Sequence, residues 1–312
     1  MARTVLLGDP SFFRIKSGSN PHTRDRLGRR KRVDLRRAIQ QWNGLKWALE
    51  QHGVRTLVLP PNRETPGSVF PANAGFRHRD RFFLSNLNPG RADEREPYRR
   101  KVSGTGLTVR QLPAPHPFEG EADFIPVGDP SGDPARTVYL FTYGRLEKPR
   151  WVFRSGFPPY QRIYGFRSDY RVLPALKAIV HPNDVLLLEL LDERHYHGDT
   201  VLCPFGLRNE QLMVYLEGLA PEAGRALKAR FGDRLLPLNP QEGERFAANS
   251  FQVMSDYYGE RVPVLLIPDG QNQDLYQRVR KRGVIPCPVE VSEFLEKGGG
   301  AVKCMLLDLG EL

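Results

Sequence analysis

The sequence predicts a mixed α/β fold in a single domain. Short runs of apolar and β-branched residues recur along the 312 residues, and segments with the apolar period of a helix lie between some of them. Many short strands with a few helices are typical of domains that pack sheets against helices. No low-complexity tract, serine/glycine linker or visible repeat divides the chain, so residues 1–312 are predicted to form one domain.

The first predicted elements are a strand at 4–7, a helix at 34–52 and a strand at 55–59. Within 34–52, apolar side chains recur on one helical face: Leu35, Ala38, Ile39, Trp42, Leu45 and Leu49. Asp34 is expected at the N-cap or in the first turn, and Gly53 is expected to end the helix.

The remaining elements follow from the same patterns. Strand-like runs lie at residues 67–70, 81–84, 138–141, 184–191, 201–204, 212–216 and 262–267, and helices are predicted at 221–231 and 273–281. The loosest stretches, 128–134 and 143–160, are interpreted as loops within the domain.

Composition limits the class of protein. The 40% hydrophobic and 26% charged content is ordinary for a soluble protein, and no run approaches the roughly 18 apolar residues of a membrane span. The amino terminus has no signal-peptide apolar region. Three widely separated cysteines do not form a disulfide framework, so a cytoplasmic location is predicted.

The net charge of +10 raises the question of a nucleic-acid partner. Arginines are concentrated in 24–37 and 77–100, and such segments can bind phosphates. No helix-turn-helix, zinc-finger spacing or ribonucleoprotein motif accompanies them, so a solvated basic surface is the favoured interpretation. A cationic substrate would then need a local acidic cluster at its site.

Three separated segments carry residues for covalent thiol chemistry. Gly298 to Gly300 lead to Cys304 at the start of an apolar run, and His197 and Asp199 lie two residues apart. A cysteine nucleophile needs a nearby base or cation, and i and i+2 side chains of an extended segment point the same way.

The acidic segment 118–123 (FEGEAD) can supply the remaining groups. One carboxylate would orient His197, and others would bind a planar cation such as a guanidinium. Taken singly, Cys304 is more typical of a core thiol, and the acidic run of a solvated loop. Their combination favours chemistry, and since His195 with His197 makes no metal site, neither metal nor cofactor is predicted.

These motifs resemble the pentein, or guanidino-group-modifying, superfamily, in particular its arginine dihydrolase, dimethylargininase and amidinotransferase-like branch. The resemblance spans nearly the whole chain. Its matching segments are 69–76 (VFPANAGF), 118–123 (FEGEAD), 165–169 (GFRSD), 196–200 (YHGDT) and 292–304, which ends in Lys-Cys.

The resemblance implies a five-bladed α/β propeller of ββαβ modules with pseudo-fivefold symmetry and a central active site. Cys304 would attack the guanidinium carbon. His197 would protonate the departing amine and then activate water. Asp199 and a member of the set Glu119, Glu121 and Asp123 would hold the guanidinium and His197, with Glu121 favoured over Glu119.

Further substrate contacts are implied by matching positions. Asn73 stands where deiminases commonly have aspartate, which favours the dihydrolase group and a second round of hydrolysis. Asn20 matches a substrate-contacting asparagine, although an ordinary Asn-Pro turn explains it equally well. Arg91 or Arg95 is expected to bind the substrate carboxylate, and Asn249 is expected near the amino-acid end of the substrate.

Several residues depart from the family pattern around the pocket. Pro71 replaces threonine, Gly67-Ser68 replaces an Asp-containing pair, and Gly198 replaces leucine. Residues 22–32 form a basic insertion, and the long stretch 126–164 is interpreted as a lid or a contact between copies of the chain in a homo-oligomer.

The predicted function is cofactor-independent hydrolysis of a guanidino C–N bond. Arginine or a close analogue would give ornithine or citrulline plus ammonia through a Cys304 thiouronium. One alternative is an amidinotransferase, in which an amine replaces water. Another is a non-catalytic pentein that only binds, which the joint presence of Cys304, His197 and Asp199 disfavours. The sequence leaves open which guanidine is the substrate.

Overall fold

Short strands and helices alternate along the whole chain. The computed structural model describes residues 2–16, 20–25, 27–156, 159–257 and 259–312. Within these ranges the helices are α1 Leu35–Gln51, α2 Arg95–Ser103, α3 Leu173–Val180, α4 Pro221–Phe231, α5 Pro240–Glu244, α6 Gln273–Arg280 and α7 Ser292–Gly298. The strands are β1 Arg3–Gly8, β2 Arg55–Leu59, β3 Gly75–His78, β4 Arg81–Leu84, β5 Thr108–Gln111, β6 Phe124–Val127, β7 Val138–Tyr143, β8 Arg150–Phe153, β9 Tyr160–Ile163, β10 Asp184–Glu189, β11 Leu202–Phe205, β12 Gln211–Val214, β13 Leu235–Pro237, β14 Phe251–Tyr257, β15 Glu260–Pro268, β16 Ile285–Val289 and β17 Leu306–Glu311.

Five three-stranded sheets repeat one design. Their strand orders are β17-β1-β2, β3-β4-β5, β6-β7-β10, β11-β12-β13 and β14-β15-β16. In every sheet the first pair of strands is antiparallel and the second pair is parallel. A parallel pair needs a crossover connection, and α1, α2, α3, α4 and α6 supply one each. The mixed α/β character predicted from the sequence is therefore confirmed.

The first sheet joins distant parts of the chain. Its central strand β1 pairs in parallel with β2 and antiparallel with β17, with Leu7 opposite Leu306. Arg3 on β1 forms a 2.6 Å ion pair with Asp308 on β17. The segment that follows Cys304 is thereby fixed against the opposite end of the described chain.

Helix α1 follows the sequence prediction closely. The Asp34 side chain accepts a hydrogen bond from the backbone N–H of Arg37 at 3.1 Å, which satisfies one free donor of the first turn. The predicted apolar face is buried at Ala38, Leu45 and Leu49. Gly53 has a φ of 74°, a left-handed conformation that glycine adopts readily after a helix.

Two local predictions are corrected. Residues 67–70 do not form a strand, because Pro66 opens a 3₁₀ turn, Pro66–Val69, and Pro71 opens the next one. The predicted loop 143–160 contains β8, which pairs antiparallel with β9 in a two-stranded hairpin. Residues 157 and 158 of that stretch lie outside the described residues.

The apolar strands predicted at 4–7, 55–59, 81–84, 138–141 and 262–267 are present with small changes at their ends. In short polar elements such as α2 and β5, apolar residues do not recur regularly enough for the sequence to predict a helix or a strand. No helix of the described ranges is long and apolar enough to cross a membrane.

Candidate active site

Five equivalent positions in the fold deliver the candidate residues. Each lies in the segment immediately before the first strand of a module. Asn73 lies in the turn before β3, Glu119 lies before β6, His197 before β11, Asn249 before β14 and Cys304 before β17. Residues that are far apart in sequence therefore meet because the modules repeat.

Close approach of the turns depends on glycine. Gly120 has a φ of 60°, and a Cβ added there would lie 2.5 Å from the carbonyl oxygen of Gly75. Only glycine fits such a left-handed position with a backbone so near. Glu119 is thereby brought beside Asn73 of the preceding module.

The thiol of Cys304 is buried and held by two neighbours. Its Sγ lies 3.2 Å from Oδ2 of Asp199 and accepts a hydrogen bond from Nδ2 of Asn249 at 3.1 Å. Asn249 Oδ1 accepts hydrogen bonds from the backbone N–H groups of Ala301 and Cys304. Gly299, with φ 77°, ends α7 just before this segment. The glycine run therefore bends the chain, and Asn249 fixes the cysteine.

The surroundings of the Cys304 thiol favour its protonated form. Burial, the negative charge of Asp199 and the hydrogen bond to Asp199 raise the pKa of Cys304 well above its ordinary value. Burial likewise raises the pKa of Asp199 to about 6, against the opposing charges of His197 and Lys303. A cation bound beside both groups would favour their ionised forms.

His197 pairs with Glu119. Its Nε2 lies 2.8 Å from Oε2 of Glu119, and both side chains are buried. Burial alone would lower the pKa of His197, but the charge of Asp123 and the hydrogen bond and charge of Glu119 raise it. Burial tends to raise the pKa of Glu119. The hydrogen bond and charge of His197, together with the charges of Arg91 and Arg167, outweigh burial and lower that pKa to about 2. Both shifts favour the pairing of an imidazolium with a carboxylate.

Asp123 lies behind this pair. It accepts hydrogen bonds from the backbone N–H of Gly198 at 2.9 Å, from Thr142 Oγ1 at 2.7 Å and from Ser168 Oγ at 2.6 Å. These contacts fix the backbone next to His197. Asp123 therefore orients the imidazole and does not line the pocket.

The preference for Glu121 as the partner of His197 is corrected. Glu121 Oε1 accepts hydrogen bonds from Lys303 Nζ and from the backbone N–H of Asp308, both at 2.7 Å. The 3₁₀ turn Gly120–Ala122 sends successive acidic side chains to different partners. Glu119 is the carboxylate that reaches His197.

A pocket of about 440 Å³ opens over these residues, a size suited to a small molecule. Its lining includes Cys304, His197, Glu119 and Asn73. Its other charged lining residues are Arg14, Lys16, Glu64, Arg91, Asp93, Glu94 and Arg167. The pocket thus combines a thiol and acidic groups with several cations.

Of the two predicted arginines, the structure brings Arg91 to the pocket and not Arg95. Arg91 is paired with Glu94 at 2.6 Å and lies 4.0 Å from Glu119. Arg95 is the first residue of α2 and is not among the pocket-lining side chains of the described residues. The prediction for Arg95 is therefore corrected.

The three asparagines have different positions. Asn73 Nδ2 donates a hydrogen bond to Glu119 Oε2 at 2.5 Å and lies 3.2 Å from His197 Nε2. Asn20 lines the pocket, and its Nδ2 donates to the carbonyl oxygen of Gly298 at 2.8 Å and to Tyr196 Oη at 3.1 Å. Asn249 lies at the thiol, which corrects the expected place near the amino-acid end of a substrate.

The basic insertion 22–32 packs next to Asn20. Lys31 donates a hydrogen bond to the backbone of Glu296, and His22 Nε2 lies 2.9 Å from the carbonyl oxygen of Arg194. Arg26, and the Gly18 and Ser19 that precede Asn20, lie outside the described residues.

Three residues near the site were missed at the sequence level. Arg167 and Tyr196 line the pocket, with the Arg167 guanidinium 5.3 Å from the centroid of the Tyr196 ring. Lys303 lies behind Asp199. All three stand inside quoted motifs, 165–169, 196–200 and the Lys-Cys pair, so the motif positions themselves were the available signal.

Repeated sheet modules with a thiol, an imidazole–carboxylate pair and further carboxylates at their turns are the arrangement expected of pentein-type, guanidino-group-modifying proteins, which this chain resembles. Comparison with known proteins supplies the relatives. The chain is 29% identical over 309 residues to the bifunctional arginine dihydrolase/ornithine cyclodeaminase AgrE of Nostoc sp.. The aligned region covers 98% of this chain and 38% of AgrE. The chain is 27% identical to the N(G),N(G)-dimethylarginine dimethylaminohydrolase of Mycobacterium tuberculosis, over 98% of this chain and 86% of that protein.

Solved structures agree with these relatives. The N-terminal domain of ArgZ, a cyanobacterial arginine dihydrolase, superposes on this chain with a TM-score of 0.80 at 23% sequence identity. The match covers 99% of this chain and 98% of the ArgZ domain. Crystalline AgrE gives a TM-score of 0.80 at 26% identity, over 99% of this chain and 39% of its own. ArgZ has also been crystallised covalently bound to a reaction intermediate.

These findings confirm the predicted relationship to hydrolases of guanidino groups. No family model matches the chain. The chain spans 38% of the length of the bifunctional relatives AgrE and ArgZ.

Proposed function

We propose that this chain hydrolyses a guanidino C–N bond of arginine or a close analogue through a covalent adduct on Cys304. One observation carries the proposal. Among the described residues, Glu119 Oε1 and Asp199 Oδ1 are buried acceptors that have no hydrogen-bond partner. They flank the Cys304 thiol and the His197 imidazole, and a guanidinium carries several N–H donors suited to such acceptors.

The proposed chemistry follows from the positions of Cys304, Asp199 and His197. Cys304 Sγ forms a bond to the guanidinium carbon while its proton passes to Asp199. His197 gives its proton to the departing nitrogen, that C–N bond breaks, and a cationic thiouronium remains on the sulfur.

Hydrolysis of the adduct restores the site. Water attacks the thiouronium carbon and gives one proton to His197. Its second proton ends on the sulfur as the C–S bond breaks, and Asp199 releases its proton to solvent. Arginine would give citrulline and ammonium in one such round. A second round on citrulline would give ornithine, ammonium and carbon dioxide.

Asn73 supports the second round. Its amide donates to Glu119, a contact that an ionised aspartate cannot make. An aspartate at this position would add a second negative charge beside Glu119. Two carboxylates match a cationic guanidinium better than the neutral ureido group of citrulline, so citrulline would bind less well for a second round. We therefore expect Asn73→Asp to lower the ratio of ornithine to citrulline, and an unchanged ratio counts against this role.

The cationic part of the pocket lining is suited to the carboxylate of an amino-acid substrate. Arg91 and Arg167 are cations of the lining, and Arg91 is held in place by Glu94 and by the carbonyl oxygens of Gly67 and Phe70. These contacts use Nε and Nη2 of Arg91, so its Nη1 is the nitrogen that a substrate carboxylate can contact, and a hydrogen bond between charged groups is strong.

We also propose that residues 1–312 act as one catalytic domain in which the five modules are the blades of a propeller around the site. Support comes from the common design of the five sheets and from the delivery of the site residues by the segments before their first strands. As predicted from the sequence, the domain would act in the cytoplasm without a cofactor.

A product screen tests the activity. Purified protein is incubated with arginine, methylated arginines or agmatine, with an amine acceptor in parallel, and ammonia, citrulline, ornithine and amidinated acceptor are measured. Release of ammonia independent of the acceptor supports hydrolysis. Amidinated acceptor in its place supports the amidinotransferase alternative, and no product with any guanidine supports a binding protein.

Matched cysteine variants show whether the thiol is responsible. Cys304→Ala should abolish turnover and labelling by a haloacetamidine. Cys287→Ala alters a half-buried free cysteine on β16 and should leave both unchanged. Equal losses in the two variants, or labelling that never reaches Cys304, would contradict the proposed function.

A further inference from the structure

A second cavity lies behind the nucleophile. It has a volume of about 100 Å³, and its charged lining consists of Arg3, Glu121, Asp199, Lys303 and Asp308. Cys304 lines the substrate pocket, whereas the preceding residue, Lys303, lines this second cavity. Asp199 touches both regions, since it lines the second cavity and lies 3.2 Å from the thiol.

The ammonium of Lys303 is fixed on this rear side. Its Nζ donates to Glu121 Oε1 at 2.7 Å and lies 5.9 Å from the centroid of the Phe251 ring. The backbone N–H of Lys303 donates to the carbonyl oxygen of Asn249 at 3.1 Å. Glu121 also binds the backbone of Asp308, so one carboxylate holds the segment on both sides of Cys304.

The positive charge of Lys303 can stabilise the sulfur of Cys304 at two steps of the reaction. The sulfur becomes negative when the thiol loses its proton and again when the C–S bond breaks, each time beside the carboxylate of Asp199. The positive charge of Lys303 opposes both the rise in the pKa of Cys304 and the rise in the pKa of Asp199. Arg3 on the same side is already paired with Asp308.

We propose that Lys303 is a positioning and charge-compensating residue, whose ammonium, held by Glu121 behind Asp199, stabilises the thiolate of Cys304 from the side opposite to the substrate. The inference rests on the proposed function, because it takes Cys304 as the nucleophile.

Other charges act on the same sulfur and are kept constant in the test. On the pocket side they belong to Glu119, Asp199, His197, Arg91 and Arg167, with the Tyr196 hydroxyl also near. On the rear side they belong to Glu121, Asp308, Arg3 and the Cys203 thiol.

The test is the pH dependence of Cys304 alkylation by iodoacetamide, followed by peptide mass spectrometry so that Cys203 and Cys287 are counted separately. Lys303→Gln keeps a donor for Glu121 but removes the charge. It should raise the midpoint pH by about one unit, the lower end of the effect of a neighbouring opposite charge. Below the midpoint, alkylation should slow about tenfold. Lys303→Arg should keep the midpoint near that of the unaltered protein.

Glu121→Gln separates charge from structure. It removes a negative charge from the same side, so the midpoint pH of Cys304 alkylation should fall or stay unchanged. If the contact between Lys303 and Glu121 only held the backbone in place, Glu121→Gln and Lys303→Gln would both raise the midpoint. Melting temperatures of all variants are measured in parallel. If Lys303→Gln does not fold, the comparison of Glu121→Gln with Lys303→Arg still shows whether removal of a charge from the rear side raises or lowers the midpoint pH.

Two results overturn the inference. One is a Lys303→Gln midpoint equal to that of the unaltered protein, and the other is a rise in the midpoint of Glu121→Gln. In either case Cys304 reacts normally in the unaltered protein, so the proposed function stands. Failure of Cys304 to react at any pH, while Cys287 reacts, overturns the proposed function instead.

Discussion

Glu119 and Glu121 are two residues apart and contact opposite sides of the site. An extended chain would point them the same way. The 3₁₀ turn Gly120–Ala122 separates them, so that Glu119 meets His197 and Glu121 meets Lys303. The sequence could identify the acidic cluster as the partner of His197, but the choice within it depends on a turn whose conformation rests on Gly120 and on its contact with Gly75.

Replacement of Glu119 should expose its effect on His197. Glu119→Gln should lower kcat by about 10²-fold or more, the usual range for a group that supports general acid–base catalysis. Because Glu119 raises the pKa of His197, the alkaline limb of the kcat profile, where the acid loses its proton, should move to lower pH.

Glu242→Gln is the matched control for that change. Glu242 is equally buried and is paired with Arg278, away from the pocket. Glu242→Gln should lower the free energy of unfolding but leave kcat and the pH profile unchanged. A Glu119→Gln profile with the same alkaline limb as the unaltered protein would contradict the pairing.

At the scale of elements, the segments before the first strands build the site and the helices support them from a distance. Apolar strands and the amphipathic helix α1 were predictable, because burial imposes a period on their sequences. The 3₁₀ turns carry no such period. Asn249 illustrates the difference, since its role at the thiol depends on backbone N–H groups of Ala301 and Cys304 that no side-chain pattern shows.

The turn capped by Asn20 should be coupled to activity. Asn20→Ala removes the hydrogen bonds to Gly298 and Tyr196, and Asn272→Ala removes the cap of the distant helix α6. Both should lower the free energy of unfolding by about 1 kcal/mol. Only Asn20→Ala should lower kcat/KM, by roughly tenfold, because its two lost hydrogen bonds lie at the pocket wall. Equal kcat/KM values in the two variants would show that this turn does not position the glycine run.

The contact between Glu121 and the 303–308 segment should have a distinctive pH dependence. Burial raises the pKa of Glu121 to about 7 from an ordinary 4.5. Its contribution to stability is therefore complete below about pH 4.5 and is lost as the pH rises through 7. Glu121→Gln does not titrate, so it should gain stability relative to the unaltered protein between pH 5 and pH 8 in urea unfolding. A relative stability that is flat or falls over this range would contradict the raised pKa.

For the whole molecule, the repetition of one module explains how distant residues meet. Strand and helix periods predicted the α/β class, and the resemblance to the pentein superfamily implied the ββαβ module. The pairing of β1 with β17 could not come from periods, because it joins residues separated by about three hundred positions, such as Arg3 and Asp308.

That pairing predicts that the chain tolerates a change of connectivity. The backbone N–H of Leu312 donates to the carbonyl oxygen of Ala2 at 3.3 Å, so a short glycine linker can join the two positions. A circular permutant opened between Gly132 and Asp133, two exposed residues, should fold and retain most of its kcat. Circular dichroism and the product assay measure both properties.

A linear variant that lacks β17 is the comparison. It removes a strand with buried Leu306, Leu307 and Leu309 and should not fold. A permutant that fails to fold, alongside a folded variant without β17, would show that the first sheet does not hold the molecule together.

The position of Cys304 directly before β17 has a consequence for the order in which the protein is made. Synthesis proceeds from the amino terminus, so the nucleophile and the strand that completes the first sheet emerge together, after the other site residues. A chain interrupted before that point lacks both. On the proposed function, a chain that terminates before Cys304 therefore has no turnover, because it lacks both the nucleophile and the strand that completes the first sheet.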